Sequence, residues 1–318
     1  MVDLMGKKNY FFALSILIFI VGIVGIFVNG IQMDIQFQGG TIMQIEMPDD
    51  TFSTDRAEDI VMETIGKKAN VMKSSTYNAE NEAENINLMV LNIASSETLK
   101  DVERQSVLKA LRTEFNIPED SNVTVNSVEP FIGDEIRTNS IYAILVSSIL
   151  IILYVWIRFR NMHGLSAGVF AVLALLHDIF VMFTVYVLFK IPLNDSFVAA
   201  MLTIIGYSIN DTVIIYDRVR ENMKIYRKMP IRELVNKSVI QTVSRSINTS
   251  ITTLIAILTL YVFSVIYNIE SIKEFTMPLV VGIISGVYST IFIASPLYMI
   301  WQERRIGKKV APRKPAKA

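Results

Sequence analysis

The chain has no cysteine and only two histidines among its 318 residues. No disulfide therefore staples any part of it. With no H-x-x-x-H spacing and no clustered carboxylates, the sequence gives no ground for a zinc or other metal site, and none for a bound cofactor. It lacks a Ser-His-Asp elbow and paired catalytic carboxylates, so an enzyme is not expected. No Lys-Ser/Thr follows the double glycine Gly39-Gly40, which disfavours a phosphate loop. Charge is scarce as well: 19% of residues are charged against 52% hydrophobic. Those values exclude a disordered chain and argue against a simple soluble domain.

What is abundant is long apolar runs. Six stretches reach the roughly 20 residues that a membrane span needs: Tyr10–Val28, Asn139–Ile157, Gly164–Phe189, Ser196–Tyr216, Ile247–Ile266 and Met277–Ile300. The first ends in VNG with no small-residue cleavage site, so it reads as an uncleaved anchor rather than a signal peptide. The net charge is zero, but residues 31–136 hold 20 of the 30 acidic residues and 8 of the 30 basic ones. Other basic residues cluster at Lys7 and Lys8, at Arg158 and Arg160, from Arg218 to Arg245, and from Arg304 to Lys317. If six helices alternate across the bilayer, these clusters share one side. The positive-inside rule makes that side cytoplasmic, with both termini there and the acidic region outside. The expected organisation is residues 1–30, a cytoplasmic N-terminus and first helix; 31–136, an extracytoplasmic domain; 137–302, five more helices with a basic cytoplasmic segment at 217–246; and 303–318, a basic tail. The expected localisation is the plasma membrane.

The extracytoplasmic region alternates between strand and helix patterns. Thr41–Met47, Asn70–Tyr77, Asn85–Ala94 and Asn122–Val128 read as strands, with NAENEAEN (Asn78–Asn85) an exposed turn. Thr54–Lys68 and a segment capped by Ser96 read as helices. The order βαββαβ predicts an α+β ferredoxin-like domain. On the cytoplasmic side, Pro230 precedes Ile231–Val243, whose apolar spacing suggests an amphipathic helix on the membrane surface, serving as an anchor or as a cradle for anionic lipid headgroups. The basic tail GKKVAPRKPAKA reads as disordered, and a topology signal alone accounts for it. No nucleic-acid partner is expected.

The informative residues are the polar ones inside the spans. Asp211 lies within the fourth run, where a carboxylate costs about 2.5–3.5 kcal/mol at a helix centre. Arg245, at the start of the fifth run, matches its depth and is its natural partner; the alternative is a snorkelling anchor. Ser208, Asn210 and Thr212 on one helix, and Asn248, Thr249 and Thr252 on the other, offer hydrogen-bonding groups. Gly206 permits close approach. His177–Asp178 is a second intramembrane pair, equally a proton relay or a structural contact. Gly282 and Gly286 form a GxxxG pattern. Pro278 reads as a first-turn proline or a bend, and Pro296 as a bend. Two glycines in DIQFQGGT (Asp34–Thr41) permit a tight bend where the first helix meets the first strand.

Five segments carry a resemblance: DIQFQGGT, GDEIR (Gly133–Arg137), HD at 177–178, GYSINDTVIIYDRVREN (Gly206–Asn222) and SRSINTS (Ser244–Ser250). On these the chain resembles the SecF family, partner of SecD in bacterial protein export, within the RND superfamily of proton-coupled transporters. The first segment departs from the more usual D-F-x-G-G-T, carrying two extra residues if Asp34 is the matching aspartate; Phe37, Gly39, Gly40 and Thr41 keep the rest. The resemblance implies a six-helix, RND-like half and association with SecD, the SecYEG channel, SecA and YajC, in contact with membrane lipid and unfolded exported polypeptides. It implies a proton, or in some relatives sodium, as coupling ion, with Asp211 and Arg245 on its pathway. Competing readings are a half-size proton-coupled solute exporter of the RND type and a passive assembly subunit.

Overall fold

The computed structural model describes residues 3–77, 85–94, 99–128, 130–267 and 269–310. Six of its helical segments are long and apolar enough to cross a membrane, as the runs require. In hydrocarbon, backbone groups find no water, so each segment closes its own hydrogen bonds as helix. These segments are α1 (Lys8–Asn29), α5 (Pro130–Arg158), α6 (Gly164–Phe189), α7 (Asp195–Ile225), α8 (Ile231–Ile266) and the rod formed by α9 (Glu270–Ser289), a π turn (Thr290–Ala294) and α10 (Ser295–Val310). About half of α6, α7 and the last rod is buried, whereas α1, α5 and α8 turn most of their surface outward. α5 starts at Pro130, ahead of the boundary expected at 137.

Between α1 and α5 lie α2 (Ile35–Gln38), β1 (Gly40–Met47), α3 (Thr54–Ile65), β2 (Ala69–Tyr77), β3 (Asn85–Ala94), α4 (Asp101–Phe115) and β4 (Val123–Val128). The sheet order is β2-β3-β1-β4, with every neighbouring pair antiparallel. The alternation of β1 places Met43, Ile45 and Met47 in a core shared with Ala57, Ile60 and Val61 of α3 and with Val107 and Leu111 of α4. α3 is capped by Ser53, whose Oγ accepts from the Arg56 N–H at 3.3 Å. α4 begins at Asp101, later than Ser96 implied, and the Lys100 N–H donates to Glu103 Oε2 at 3.0 Å. Ser96 and all but the last residue of the 78–85 turn lie outside the described residues.

DIQFQGGT folds as one helical turn followed by the first strand. Gly39 (φ 76°) and Gly40 (φ 141°) make that change of direction in backbone that favours glycine. Phe37 and Thr41 are buried, and the Thr41 hydroxyl pairs with that of Ser127 at 3.1 Å. The half-buried Asp34 donates its backbone N–H to the Leu193 carbonyl at 2.9 Å. Through this bridge the root of the sheet region is tied to the turn between α6 and α7.

Three expectations about helices are corrected. Ile231–Val243 is not a separate surface helix: it is the first part of the continuous 36-residue α8. Its apolar residues Leu234, Val235 and Val239 are buried in a core with Tyr216, Val219 and Tyr298, which holds it upright against the bundle. Pro278 is not in the first turn. It sits inside α9, so it cannot bond the Glu274 carbonyl; the Tyr186 hydroxyl reaches that carbonyl instead, at 3.4 Å. Of the tail expected to be disordered, residues 307–310 continue α10, and 311–318 lie outside the described residues. Pro296 stands two residues after the π turn. The Ser295 N–H reaches back five residues to the Thr290 carbonyl, the wide turn that accommodates the missing donor and crowded ring of a proline.

Candidate functional site

The buried polar groups fall into two neighbouring clusters in the bundle. The first surrounds Asp178 of α6, which is fully buried. Oδ2 accepts from Ser208 Oγ of α7 at 2.9 Å and from Ser289 Oγ of α9 at 2.8 Å, and Oδ1 accepts from Ser285 Oγ at 2.6 Å. GxxxG permits this convergence. A Cβ on Gly286 would stand 3.2 Å from Ser208, and one on Gly282 would stand 2.4 Å from Ile204. Both glycines therefore seat α9 on α7. Ser285 and Ser289 escaped the sequence reading. Their signal was the i, i+4 spacing of hydroxyls interleaved with the two glycines in GIISGVYS.

His177 turns away from this cluster. Its Nδ1 lies 3.4 Å from Asp178 Oδ1, its ring packs between Phe19 and Tyr288, and its buried Nε2 has no hydrogen-bond partner among the described residues. Tyr288 in turn donates to the Phe11 carbonyl of α1 at 2.6 Å.

The second cluster surrounds Asp211, one helical turn beyond Ser208 on α7. Its side chain is buried. Arg245 and Ser246 of α8 act on its carboxylate, yet among the described residues Asp211 Oδ2 and Ser246 Oγ both lack a well-formed hydrogen bond. Among the described residues no ion pair within 4.0 Å joins Asp211 to Arg245. Arg245 opens onto a cavity of about 280 Å³, shared with Asp217, Arg218, Glu221 and Gln241. Beside Asp211, the Thr212 hydroxyl meets that of Thr290 in the π turn at 3.0 Å. The π turn and its hydroxyl were not foreseen. π turns are rare and often sit at functional sites.

Not every expected residue converges. Ser208 does, as the link between the clusters. Asn210 does not, because it is exposed on the outer face of α7. Adjacent helical residues point about 100° apart, so Asn210 cannot share the face of Asp211. Gly206 lies on that same outer face, and a Cβ there would touch nothing within 4 Å; it packs no helix in this chain. Thr249 is half-buried one turn after Ser246, and its carbonyl accepts from Thr252 and Thr253.

Six apolar spans enclosing buried carboxylates define a multi-pass helical membrane protein. The chain belongs to a known family of such proteins: the pattern described as "Protein export membrane protein SecD/SecF, C-terminal" matches residues 107–304. It is 33% identical to the protein translocase subunit SecF of Alicyclobacillus acidocaldarius, covering 98% of this chain and 97% of that protein. It is likewise 33% identical to the protein translocase subunit SecDF of Bacillus subtilis, covering 97% of this chain but 39% of that longer protein. The crystal structure of SecDF from Thermus thermophilus, a translocon-associated membrane protein, superposes with a TM-score of 0.77 at 30% identity, covering 95% of this chain and 39% of that one.

Proposed function

We propose that this chain is the SecF-like subunit of a bacterial protein-export machine, working with SecD at the SecYEG channel with SecA and YajC. It draws on a proton or sodium gradient at Asp211 and Arg245 to move polypeptide outward. It is not itself an enzyme. Both termini face the cytoplasm, and residues 31–136 form an extracytoplasmic ferredoxin-like domain that grips the emerging chain. The βαββαβ order with strands 2-3-1-4 supports that label, and the basic clusters support the orientation.

One observation carries the ion-coupling reading: a buried carboxylate oxygen without a well-formed hydrogen bond among the described residues, beside an arginine on the next helix. A buried charge held so incompletely is expensive, and taking up a proton or a cation relieves it. Neutralised, Asp211 loses its attraction to Arg245 and lets α7 and α8 repack. The movement has a contiguous route to the sheet domain. Thr212 touches Thr290 in the π turn, Phe292 of that turn stacks on Phe11 of α1 at 3.8 Å between ring centres, and α1 leads into β1. One charge crossing 100 mV is worth about 2.3 kcal/mol, enough to bias such an equilibrium.

The outer face of the bundle supports a membrane partner. Asn210 and Asn248 are exposed within the apolar runs of α7 and α8, and no hydrogen bond to either carboxamide occurs among the described residues. Such groups are costly against lipid; a SecD subunit laid across α7 and α8 would cover them.

The test is export into vesicles holding this chain with SecD and the channel, energised by a proton-only or a sodium-only gradient. Wild type should respond to one gradient, and Asp211→Asn to neither while still co-purifying with its partners. Gradient-driven export at the wild-type rate by Asp211→Asn refutes the reading.

A further inference from the structure

A cavity of about 540 Å³ lies where α5 ends, α6 begins and α10 closes over both, lined among others by Trp156, Arg160, His163, Gly164, Trp301 and Arg305. We propose that it binds the headgroup of an anionic phospholipid, with the phosphate held between Arg160 and Arg305.

Four independent features converge there. First, the two guanidiniums lack counter-ions: among the described residues neither forms an ion pair, whereas nearby Arg158 and Arg220 share Asp217. No acidic side chain lines the cavity. Arginine's planar fork suits a phosphate better than a lysine's point charge.

Second, the chain has two tryptophans, and both line this cavity. Tryptophan favours the headgroup level of a bilayer, and the cavity sits where three apolar spans end. Trp301 is fixed in place, with Arg305 over its face at 5.4 Å and His163 edge-on at 5.8 Å.

Third, α6 starts in the cavity wall, so the positive end of a 26-residue helix faces the same space. Gly164 is needed there. A Cβ on it would stand 2.5 Å from the Trp156 carbonyl oxygen, so glycine lets the end of α5 close against the start of α6 and shape the floor.

Fourth, a path for acyl chains leaves the cavity. Leu165 and Val169 line it and are 55% and 40% exposed; Leu173 and Leu176 continue the stripe at 44% and 45%. This apolar track runs down α6 into the span from the charged mouth. A free phosphate ion would use the arginines but not the track, which is why the occupant is a lipid. Basic pockets between helix ends at a membrane surface suit such headgroups.

Because both tryptophans line the site, the purified full chain in detergent carries its own reporter. Titration with short-chain phosphatidylglycerol should change tryptophan emission saturably, at least tenfold more tightly than short-chain phosphatidylcholine. Arg160→Gln combined with Arg305→Gln should weaken the phosphatidylglycerol response at least tenfold. The paired lysine substitutions should keep part of it, and Arg304→Gln, outside the lining, should keep all of it. An unchanged thermal unfolding midpoint shows that the double variant is folded; if it is not, the lysine pair alone must show an intermediate affinity. Equal response to the two lipids, unchanged affinity in the arginine variants, or saturation by inorganic phosphate at the same concentration overturns the proposal.

Discussion

Ser208 donates its hydroxyl to Asp178 at 2.9 Å and stands one helical turn before Asp211. It thereby joins two buried carboxylates with opposite surroundings. Asp178 accepts three serine hydroxyls from two other helices. Asp211 Oδ2 has no well-formed hydrogen bond among the described residues. A carboxylate so fully satisfied holds a bundle together, whereas one left short of donors is suited to change its charge. The His177–Asp178 pair, read equally as relay or scaffold, thus favours the scaffold.

The serine shell of Asp178 is expected to be a stability element. Removing one partner of a hydrogen bond to a buried charge costs about 1.5–3 kcal/mol. Ser285→Ala and Ser289→Ala should each lower the unfolding midpoint of the purified chain, and the double variant should be worse than either. Full wild-type stability in the double variant would show that Asp178 is neutral or differently held.

The glycine contacts predict a compensable clash. A Cβ on Gly282 would lie 2.4 Å from Ile204 Cγ1, so Gly282→Ala overpacks the α7–α9 contact at a cost of about 1–3 kcal/mol. Ile204→Ala removes the struck atoms and leaves a cavity of its own. The double variant should be more stable than the sum of the two losses implies, and chemical unfolding of all four proteins measures the coupling. Strict additivity would place the strain elsewhere.

Much of this architecture was legible from period and polarity. Alternation found the four strands, apolar length found the spans, and matched depth brought Asp211 and Arg245 to facing helices. The misses have physical causes. Ile231–Val243 read as a surface helix apart from the fifth span, but Leu234, Val235 and Val239 find core partners, so the helix runs on unbroken. Asn210 was grouped with Asp211 by nearness in sequence although the helical period separates their faces. Ser285 and Ser289 acquire meaning only when Asp178 is brought against them, and that pairing is set by packing, which no local pattern encodes. The π turn likewise depends on Pro296 together with the packing around Thr290.

Glu103 provides a pH test in the sheet domain. The Lys100 backbone N–H, and then the Lys67 ammonium at 3.2 Å, hold its carboxyl below the ordinary value of 4.5. A depressed folded value means the stabilisation is present above the unfolded value and is lost as pH falls through the folded one. Wild type should therefore exceed Glu103→Gln in thermal midpoint at about pH 6, with the gap closing as pH drops below 4.5. A gap that stays constant down to about pH 3 would show that the charge is not what matters.

The exposed carboxamides make the last prediction, and it separates folding from assembly. The side-chain amides of Asn210 and Asn248 make no hydrogen bond among the described residues, and both residues are exposed on the outer faces of α7 and α8. Asn210→Leu and Asn248→Leu should therefore leave the isolated chain as stable as wild type, or slightly more so, since a polar group leaves hydrocarbon. If SecD covers them, the same substitutions should reduce recovery of SecD in co-purification, because its polar groups would lose partners across the interface. Thermal unfolding of the lone chain and quantitative co-purification are both needed. A drop in both would mean the asparagines serve the fold of this chain. No change in either would mean lipid or water covers this face, and the partner surface would have to be sought on α1 or α5.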